Sequence, residues 1–250
     1  MREGIDTAVI MAGGQGMRLR PYTTVLPKPI MPLGDTPLLE ILIRQLGAAG
    51  IRNVLISVNH LSHIIKAVLD HTDFSDMEVN IEYHHETRPL GTCGSLTLMR
   101  GCLPERFLVV NGDLFSDYPI RSFIEKHAES DAALTIGTRI RTEAMNFGVV
   151  QRDPDGAVSD YVEKPATDYE SSIGLYALER RCIDDYLTPD TRTDMPELVQ
   201  ALLANGREVQ GVPAACTWID IGQPETYLRA QELFERMPSS FLKHCGEDGL

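Results

Sequence analysis

The chain has 250 residues, of which 43% are hydrophobic, and this is enough to bury a large core. Its formal charge of −13 argues against nucleic acid or an anionic membrane surface as a partner, because both attract basic faces. No apolar run approaches the roughly 20 residues that span a bilayer, and residues 1–14 hold no adequate signal-peptide core. The five scattered cysteines fit reduced thiols, so we expect a cytoplasmic protein.

Val- and Ile-rich runs alternate with amphipathic stretches in the first half of the chain. This alternation is typical of strands and helices that take turns around a mostly parallel sheet. Continuous apolar strands also imply that helices cover both faces of the sheet. Pro37 lies where a first helical turn tolerates proline, and Gly50 lies where that helix stops. We predict strands near 7–11, 54–59, 79–83 and 107–110, and helices near 37–49, 61–71 and 92–102.

After residue 128 the alternation becomes shorter and less regular. Further strands are predicted near 132–138, 148–151, 158–163, 173–177 and 208–213, with helices near 195–204 and 224–236. Some of these strands extend the sheet, and others form a small antiparallel lobe. No internal repeat or linker interrupts the pattern, so we predict one domain over residues 1–236. Residues 237–250 mix Ser, Gly and charge and are predicted to form a loosely held tail.

A glycine-rich loop, Ala12-Gly13-Gly14-Gln15-Gly16-Met17, follows the first predicted strand. Ligands of an open parallel sheet gather at the carboxyl ends of its strands. Glycines let several backbone N–H groups point at one phosphate, and Arg18 adds a planar fork of donors. Leu19 stands where a dinucleotide fingerprint needs glycine, and the Walker spacing is absent, so those two phosphate loops are disfavoured.

Lys28 lies between Pro27 and Pro29, shortly after this loop. Each proline fixes its own φ and restricts the residue before it, so Lys28 sits on a stiff backbone. A lone lysine is usually solvated. This setting instead favours a lysine that is held in place to bind an anion.

The stretch from the glycine loop to Pro29 resembles the N-terminal signature of the sugar-1-phosphate nucleotidylyltransferases, also called nucleotide-sugar pyrophosphorylases. The matching pattern is Gly14-x-Gly16-x-Arg18-Leu19-x-Pro21-x-Thr23 followed by Pro27-Lys28-Pro29. The resemblance, closest to mannose- or manno-heptose-1-phosphate guanylyltransferases, implies the nucleotide-diphospho-sugar transferase fold. That fold is α/β and Rossmann-like: helices sandwich a mostly parallel mixed sheet, and a small antiparallel lobe binds the sugar.

The resemblance also implies a reaction. The enzyme would join a nucleoside triphosphate to a sugar 1-phosphate by in-line attack on the α-phosphate, releasing pyrophosphate. Arg18, Lys28 and Asp113 would be its catalytic residues. The implied nucleotide-binding half covers about 1–130 and the sugar-binding half about 131–236. A general base is not needed, because the attacking phosphate is already an anion at neutral pH.

Two aspartates follow apolar runs. Asp113 comes after Gly112 at the end of the strand near 107–110, and Asp220 lies in Trp218-Ile219-Asp220-Ile221-Gly222. Magnesium is usually held by one or two carboxylates while phosphates and waters complete its shell. The resemblance implies that Asp113 and Asp220 bind Mg²⁺ together. An aspartate in a turn can equally cap local backbone, and the spacing alone does not bring the two together.

The segment after the third predicted strand contains Glu86, Pro89, Gly91 and Thr92, and the resemblance implies that it contacts the base. The resemblance also places Gly112 in the nucleotide site. A carboxylate only accepts hydrogen bonds, so it suits a base with a ring N–H, namely guanine, uracil or thymine. Guanine can give two such bonds, which favours GTP and leaves UTP and dTTP open. If Glu86 merely caps the coming helix, that inference fails.

The resemblance assigns the sugar phosphate to Gly148, Glu163, Lys164 and Ser172. Ser172 stands where mannose-type relatives tend to have Asn, so the sugar is open, with a mannose or manno-heptose type favoured. A rival interpretation is a non-catalytic regulatory subunit that binds nucleotide sugars. Such a subunit should have lost one of Arg18, Lys28 or the two aspartates, and this chain has all four. The oligomeric state is also open, and a homo-oligomer is one option.

Overall fold

The computed structural model describes residues 4–14 and 16–242. Its strands are β1 Thr7–Met11, β2 Pro32–Leu33, β3 Thr36–Pro37, β4 Asn53–Val58, β5 Asn80–His85, β6 Arg106–Asn111, β7 Leu114–Ser116, β8 Leu134–Ala144, β9 Val149–Arg152, β10 Val158–Val162, β11 Ala166–Glu179, β12 Val209–Pro213 and β13 Trp218–Asp220. Its α-helices are α1 Leu38–Ala48, α2 Ser62–Asp70, α3 Ile120–Glu129, α4 Arg181–Tyr186, α5 Met195–Ala204, α6 Pro224–Arg236 and α7 Pro238–Phe241. Short 3₁₀ helices cover Met17–Leu19, Tyr22–Thr24, Lys28–Ile30 and Gly94–Met99.

The main sheet has seven strands in the order β12-β8-β11-β6-β1-β4-β5. Strand β1 pairs in parallel with β4 and β6, β4 with β5, and β12 with β8. Strand β11 runs antiparallel between β6 and β8. The predicted mostly parallel mixed sheet is therefore confirmed.

Helices cover both faces of the sheet, as the apolar strands predict. Ala8 and Ile10 of β1 pack in one core cluster with buried residues of α1, whereas Val9 packs in a second cluster with residues of α5. The successive side chains of a strand point to opposite faces. All three are fully buried because both faces are covered. None of the described helices is long and apolar enough to cross a membrane.

The segment near 92–102 is not an α-helix as predicted but contains the 3₁₀ helix Gly94–Met99. The amides of Cys93 and Gly94 both donate to the Thr193 carbonyl, 3.1 Å away in each case. A Cβ on Gly94 would lie 2.5 Å from the Thr191 carbonyl oxygen. This close backbone contact replaces the start of a regular helix.

A small antiparallel lobe is also present. Strands β9 and β10 form a two-stranded sheet, and the outer halves of β8 and β11 extend the main sheet as a long antiparallel pair. These outer halves explain why β8 and β11, with 11 and 14 residues, are longer than the predicted strands. A two-stranded sheet has little stability by itself, and the side chains of β10 are exposed along its whole length.

Residues 237–242, at the start of the predicted tail, include helix α7, which packs on the domain. Helix α7 places Phe241 in a core cluster with α6, where the side chain is fully buried. Its ring stacks on Phe115 with the ring centroids 4.3 Å apart, and it also contacts Phe234. Buried aromatic area outweighs the polar composition of this stretch. Residues 243–250 of the predicted tail lie outside the described residues.

Phe241→Ala tests whether α7 is part of the folded domain. Losing a fully buried aromatic ring should lower the free energy of unfolding by about 3 kcal/mol. Urea unfolding followed by circular dichroism measures this. The control is Leu203→Ala, which removes an exposed apolar side chain from α5 and should change stability by less than about 0.5 kcal/mol. Equal effects for the two variants would contradict the packing of α7.

Candidate active site

A cleft of about 560 Å³ lies at the carboxyl edge of β1 and β6. It is lined by the described residues of the glycine loop, by Arg18 and Lys28, and by the predicted base segment. The predicted residues that line it are Ala12, Gly13, Gly14, Gly16, Met17, Arg18, Lys28, Glu86, Pro89, Gly91, Thr92 and Asp113. Gly112 does not line it; its amide donates to the Met11 carbonyl, 3.0 Å away. A Cβ on Gly112 would lie 2.9 Å from that same oxygen, so Gly112 supports the loop from behind.

The end of the glycine loop is held by side-chain contacts. Gly16 has a φ of 59°, a left-handed conformation that favours glycine. The Thr23 hydroxyl donates to the Gly16 carbonyl over 2.7 Å. A Cβ on Gly16 would come within 3.2 Å of the Lys28 side chain. The loop and Lys28 are therefore packed against each other, and Arg18, on the 3₁₀ helix between them, is exposed to the cleft.

Lys28 and Asp113 form an ion pair, in which the Lys28 ammonium donates to Asp113 Oδ2. The Lys28 side chain is only 9% exposed, whereas that of Asp113 is 36% exposed. A buried ammonium needs a partner because burial strips its hydration. Asp113 supplies that partner from the end of β6 while keeping part of its carboxylate open to solvent.

Asp113 and Asp220 open to one cavity. Strands β7 and β13 pair antiparallel with Asp220 opposite Leu114, which is the residue next to Asp113. Both aspartates line a second cavity of about 280 Å³. Arg18, Asn111 and Asp113 line this cavity and the larger cleft alike. The two spaces therefore meet at these three side chains.

Glu86 is buried at the back of the cleft, with 3% of its surface exposed. Its Oε1 accepts a hydrogen bond from the Ser57 hydroxyl over 2.7 Å, and its Oε2 accepts one from the Leu90 amide over 3.0 Å. A Cβ on Gly13 would lie 2.7 Å from Oε1. Glu86 thus caps the turn that leads to Gly91, and it also lines the cleft.

The base segment is fixed by the start of α5. The Thr92 amide donates to Asp194 Oδ1 over 2.9 Å, and the Met195 amide donates to the Thr92 hydroxyl over 2.7 Å. Asp194 also forms the capping box of α5 with Glu197. Gly91 has a φ of 82°, and a Cβ there would lie 2.4 Å from the Thr193 carbonyl oxygen.

The predicted sugar-phosphate residues divide into two groups. Ser172 lines the second cavity, and its hydroxyl donates to the Tyr176 hydroxyl over 3.1 Å. Burial raises the pKa of Tyr176, so its phenol stays protonated. Gly148, Glu163 and Lys164 lie instead in the antiparallel lobe and line neither of these two spaces. Glu163 accepts a hydrogen bond from the Tyr161 hydroxyl, and Lys164 is exposed.

Several residues of the two cavities were not predicted: Asn111, Tyr176, Arg192, Asp194, Trp218 and Gly222. Asn111, Trp218 and Gly222 adjoin the predicted aspartates, so the sequence signal for them is proximity to a motif. Asp194 stands directly before a predicted helix, which identifies a cap but not a contact with the base segment.

None of the four described cysteines lines this cleft. Burial raises the pKa of Cys93 to about 12 and that of Cys182 to about 11. Both thiols are therefore protonated at neutral pH, and a protonated buried thiol is inert. The four described cysteines, which also include Cys102 and Cys216, are free thiols; Cys245 lies outside the described residues.

A phosphate-type glycine loop and strand-end carboxylates on one sheet edge define a nucleotide-binding α/β protein. Residues 7–236 match the nucleotidyl transferase family, and the chain belongs to this family.

Mannose-1-phosphate guanylyltransferase of Mycobacterium tuberculosis is 33% identical over 96% of this chain and 68% of the relative. The Schizosaccharomyces pombe mannose-1-phosphate guanyltransferase is 32% identical over 96% and 66%. A catalytic subunit beta of mannose-1-phosphate guanylyltransferase from Drosophila pseudoobscura pseudoobscura is 30% identical over 91% and 62%. The chain thus spans about two thirds of the length of these relatives.

Two solved structures share the fold. HddC from Yersinia pseudotuberculosis, complexed with GMP-PN, is 27% identical and superposes with a TM-score of 0.71 over 92% of this chain and 100% of that one. A putative glucose-1-phosphate thymidylyltransferase from Bacillus anthracis, in complex with a sucrose, has a TM-score of 0.70 over 91% of this chain and 94% of that one. At 20% identity, this second structure supports the fold alone.

Gly91→Ala tests the close contact between the base segment and α5. The left-handed φ and the clash with the Thr193 carbonyl should together cost about 2–3 kcal/mol. They should also displace Thr92 and weaken nucleotide binding. Urea unfolding and calorimetric titration with GTP measure the two effects. Gly101→Ala is the control, because a Cβ there meets nothing within 4 Å. Nucleotide affinity that is equal in both variants would contradict the positioning role of Gly91.

Proposed function

We propose that this chain is a Mg²⁺-dependent sugar-1-phosphate guanylyltransferase, which joins GTP to a mannose-type or manno-heptose-type 1-phosphate and releases pyrophosphate. The observation that carries the proposal is the meeting of the two cavities at Arg18, Asn111 and Asp113. One cavity holds the glycine loop and the other holds Ser172, so a nucleotide and a sugar phosphate would meet at these side chains. The names of the guanylyltransferase relatives support the substrates.

The chain's own residues supply positioning and charge. An oxygen of the sugar phosphate bonds to the α-phosphorus as the bond to the leaving pyrophosphate breaks on the opposite side. Because this chemistry needs little covalent help, catalysis depends on alignment and on neutralising negative charge. Arg18 is placed at the junction to donate to the α-phosphate. Lys28 lines the larger cleft and is paired with Asp113, and phosphate oxygens would replace Asp113 as the partner of its ammonium.

The two aspartates fit a magnesium ion. Asp113 and Asp220 are hard oxygen donors that share one cavity, and both are partly open to solvent. In the described part of the chain, no group of three or more His, Cys, Asp or Glu side chains is arranged to hold a metal ion. Two carboxylates are enough for Mg²⁺, which takes its other ligands from phosphates and water. When bound, the ion would neutralise phosphate oxygens.

The remaining expectations belong to the same proposal. In the sugar-binding half, Ser172 would contact the sugar phosphate in the second cavity. The antiparallel lobe would make a further sugar contact through Gly148, Glu163 and Lys164. The reaction is a cytoplasmic step of nucleotide-sugar biosynthesis without nucleic acid or membrane partners, and the chain works alone or as a homo-oligomer. The alternative is a nucleotide-sugar-binding regulatory subunit. The retention of Arg18, Lys28, Asp113 and Asp220 argues against it.

Pyrophosphate release from a panel of nucleoside triphosphates and sugar 1-phosphates tests the reaction. We expect release with GTP and a manno-configured 1-phosphate, dependence on added Mg²⁺, and a loss of at least about 10²-fold in kcat for Lys28→Ala, since preorganised charge is removed from the transition state. Lys126→Ala, on an exposed turn of α3, is the matched control and should keep full activity. Nucleotide-sugar binding without turnover for any pair would favour the regulatory subunit.

Glu86→Gln tests base selection. The amide retains one acceptor for the Leu90 N–H but weakens acceptance from a ring N–H of guanine. We expect the ratio of kcat/KM for GTP to that for ATP to fall by about 10–100-fold, which corresponds to about 1–3 kcal/mol. The ratio is the measured quantity because a general disturbance of the buried site lowers both values together. An unchanged ratio with reduced kcat/KM for both nucleotides would make Glu86 purely structural.

A further inference from the structure

Two adjoining cavities of about 440 and 360 Å³ run along β13 and α6, next to the proposed catalytic centre. Both are lined by Arg139, Trp218 and Arg229; Arg141 lines one of them and Arg236 the other. We call this space the arginine groove, defined by Arg139, Arg141, Trp218, Arg229 and Arg236. Neither the proposed nucleotide site nor the proposed sugar site uses its four arginines.

The charge of the groove is opposite to that of the chain. The protein has 36 acidic and 23 basic residues, yet four arginines face one space whose acidic lining residues are Asp220 and Glu232. Like charges that cluster without partners repel, so the arrangement costs stability unless an anion binds there.

Two of the four arginines have no salt-bridge partner among the described residues, and a third has only an exposed one. Within residues 4–14 and 16–242, neither Arg229 nor Arg236 forms a salt bridge. They are seven residues apart on α6, which places them on the same helix face. Arg141 pairs with Glu143, but both side chains are 52% exposed, and such a surface pair contributes little.

The floor of the groove is held in place. The Arg139 guanidinium carbon lies 5.9 Å from the centre of the Trp218 ring, and Arg139 Nη1 donates to the Trp218 carbonyl over 3.1 Å. An arginine fixed in this way loses little conformational entropy when it binds an anion. Gln223 and Thr226, at the first turn of α6, line the same space and add the partial positive charge of a helix N-terminus.

We propose that the arginine groove binds a phosphorylated small molecule as an effector, with guanidinium groups holding the phosphate and Trp218 contacting the organic part. Forked guanidinium donors match phosphate oxygens, and an indole face suits a carbon skeleton. Strand β13 joins Trp218 in the groove to Asp220, which lines both the groove and the second cavity. Binding therefore acts on the carboxylate assigned to magnesium. The binding itself does not depend on the proposed transferase activity; only its effect on turnover rests on it.

Trp218 provides a direct measurement, because it is the single tryptophan of the chain. We expect a saturable change in tryptophan fluorescence on titration with inorganic phosphate or glucose 6-phosphate at constant ionic strength set with chloride. The double variant Arg141→Gln/Arg229→Gln should raise the Kd at least tenfold. Arg52→Gln/Arg152→Gln removes the same charge from exposed positions outside the groove and should keep the Kd within twofold. No saturable change, or equal affinity in both double variants, overturns the proposal.

Further comparisons identify the source of the phosphate and separate this site from the substrate sites. Tenfold tighter binding of glucose 6-phosphate than of inorganic phosphate supports a phosphorylated metabolite, whereas equal binding would show that the groove holds phosphate alone and would overturn the contact between Trp218 and an organic part. The fluorescence change should persist when GTP and the sugar 1-phosphate are saturating. Arg141→Gln/Arg229→Gln should leave the KM for the sugar 1-phosphate within twofold. A tenfold rise in that KM, with the fluorescence change abolished by saturating sugar 1-phosphate, would place the arginines in the acceptor site and overturn the effector.

Discussion

The ion pair between Lys28 and Asp113 is the contact on which the rest of the candidate site depends. The lysine ammonium is almost completely removed from water, so an unpaired ammonium there would be costly. The partner that it needs is Asp113, which is 85 residues further along the chain and follows a different element. The pair ties the segment after the glycine loop to the end of β6. Both substrates are proposed to meet at this point, where a phosphate oxygen would replace Asp113 as the partner of the Lys28 ammonium.

Strand direction explains why this pair lies between two cavities. In parallel pairing, Met11 of β1 is opposite Asn111 of β6, so the glycine loop and Asp113 leave the sheet at the same edge. Strand β11 runs in the opposite direction, so the residues just before Leu175, where its pairing with β6 begins, lie at that edge. Gly174, with a φ of 85°, lies against Asn111 so closely that a Cβ would come within 2.5 Å of its side-chain nitrogen. One antiparallel strand in a mostly parallel sheet thus places Ser172 in the second cavity, which adjoins the larger cleft.

The sequence predicts what depends on local pattern, and it fails where distant backbone decides. Strand β1 and helix α6 are found at their predicted bounds, because a continuous apolar run and a proline-started amphipathic stretch are local signals. Residues 92–102 have a helical pattern, but the amides of Cys93 and Gly94 donate to the distant Thr193 carbonyl instead of starting an α-helix. The approach of Asp220 to Asp113 depends on β7 and β13, each only three residues long, and neither shows a recognisable period. The predicted elements leave out helix α3, although its buried residues recur at helical spacing: Ile120, Phe123, Ile124 and His127.

The structural contacts of Glu86 are compatible with its proposed role in base recognition. Its two carboxylate oxygens each accept one hydrogen bond from the protein, but a carboxylate offers about four acceptor positions. Capacity for a base N–H therefore remains. The contacts with Ser57 and Leu90 also fix the side chain before any nucleotide arrives, which reduces the entropy lost on binding. The Leu90 amide requires an acceptor at Oε2, so the fold itself keeps an acceptor facing this turn. Capping the turn is thus compatible with the proposed contact between Glu86 and guanine.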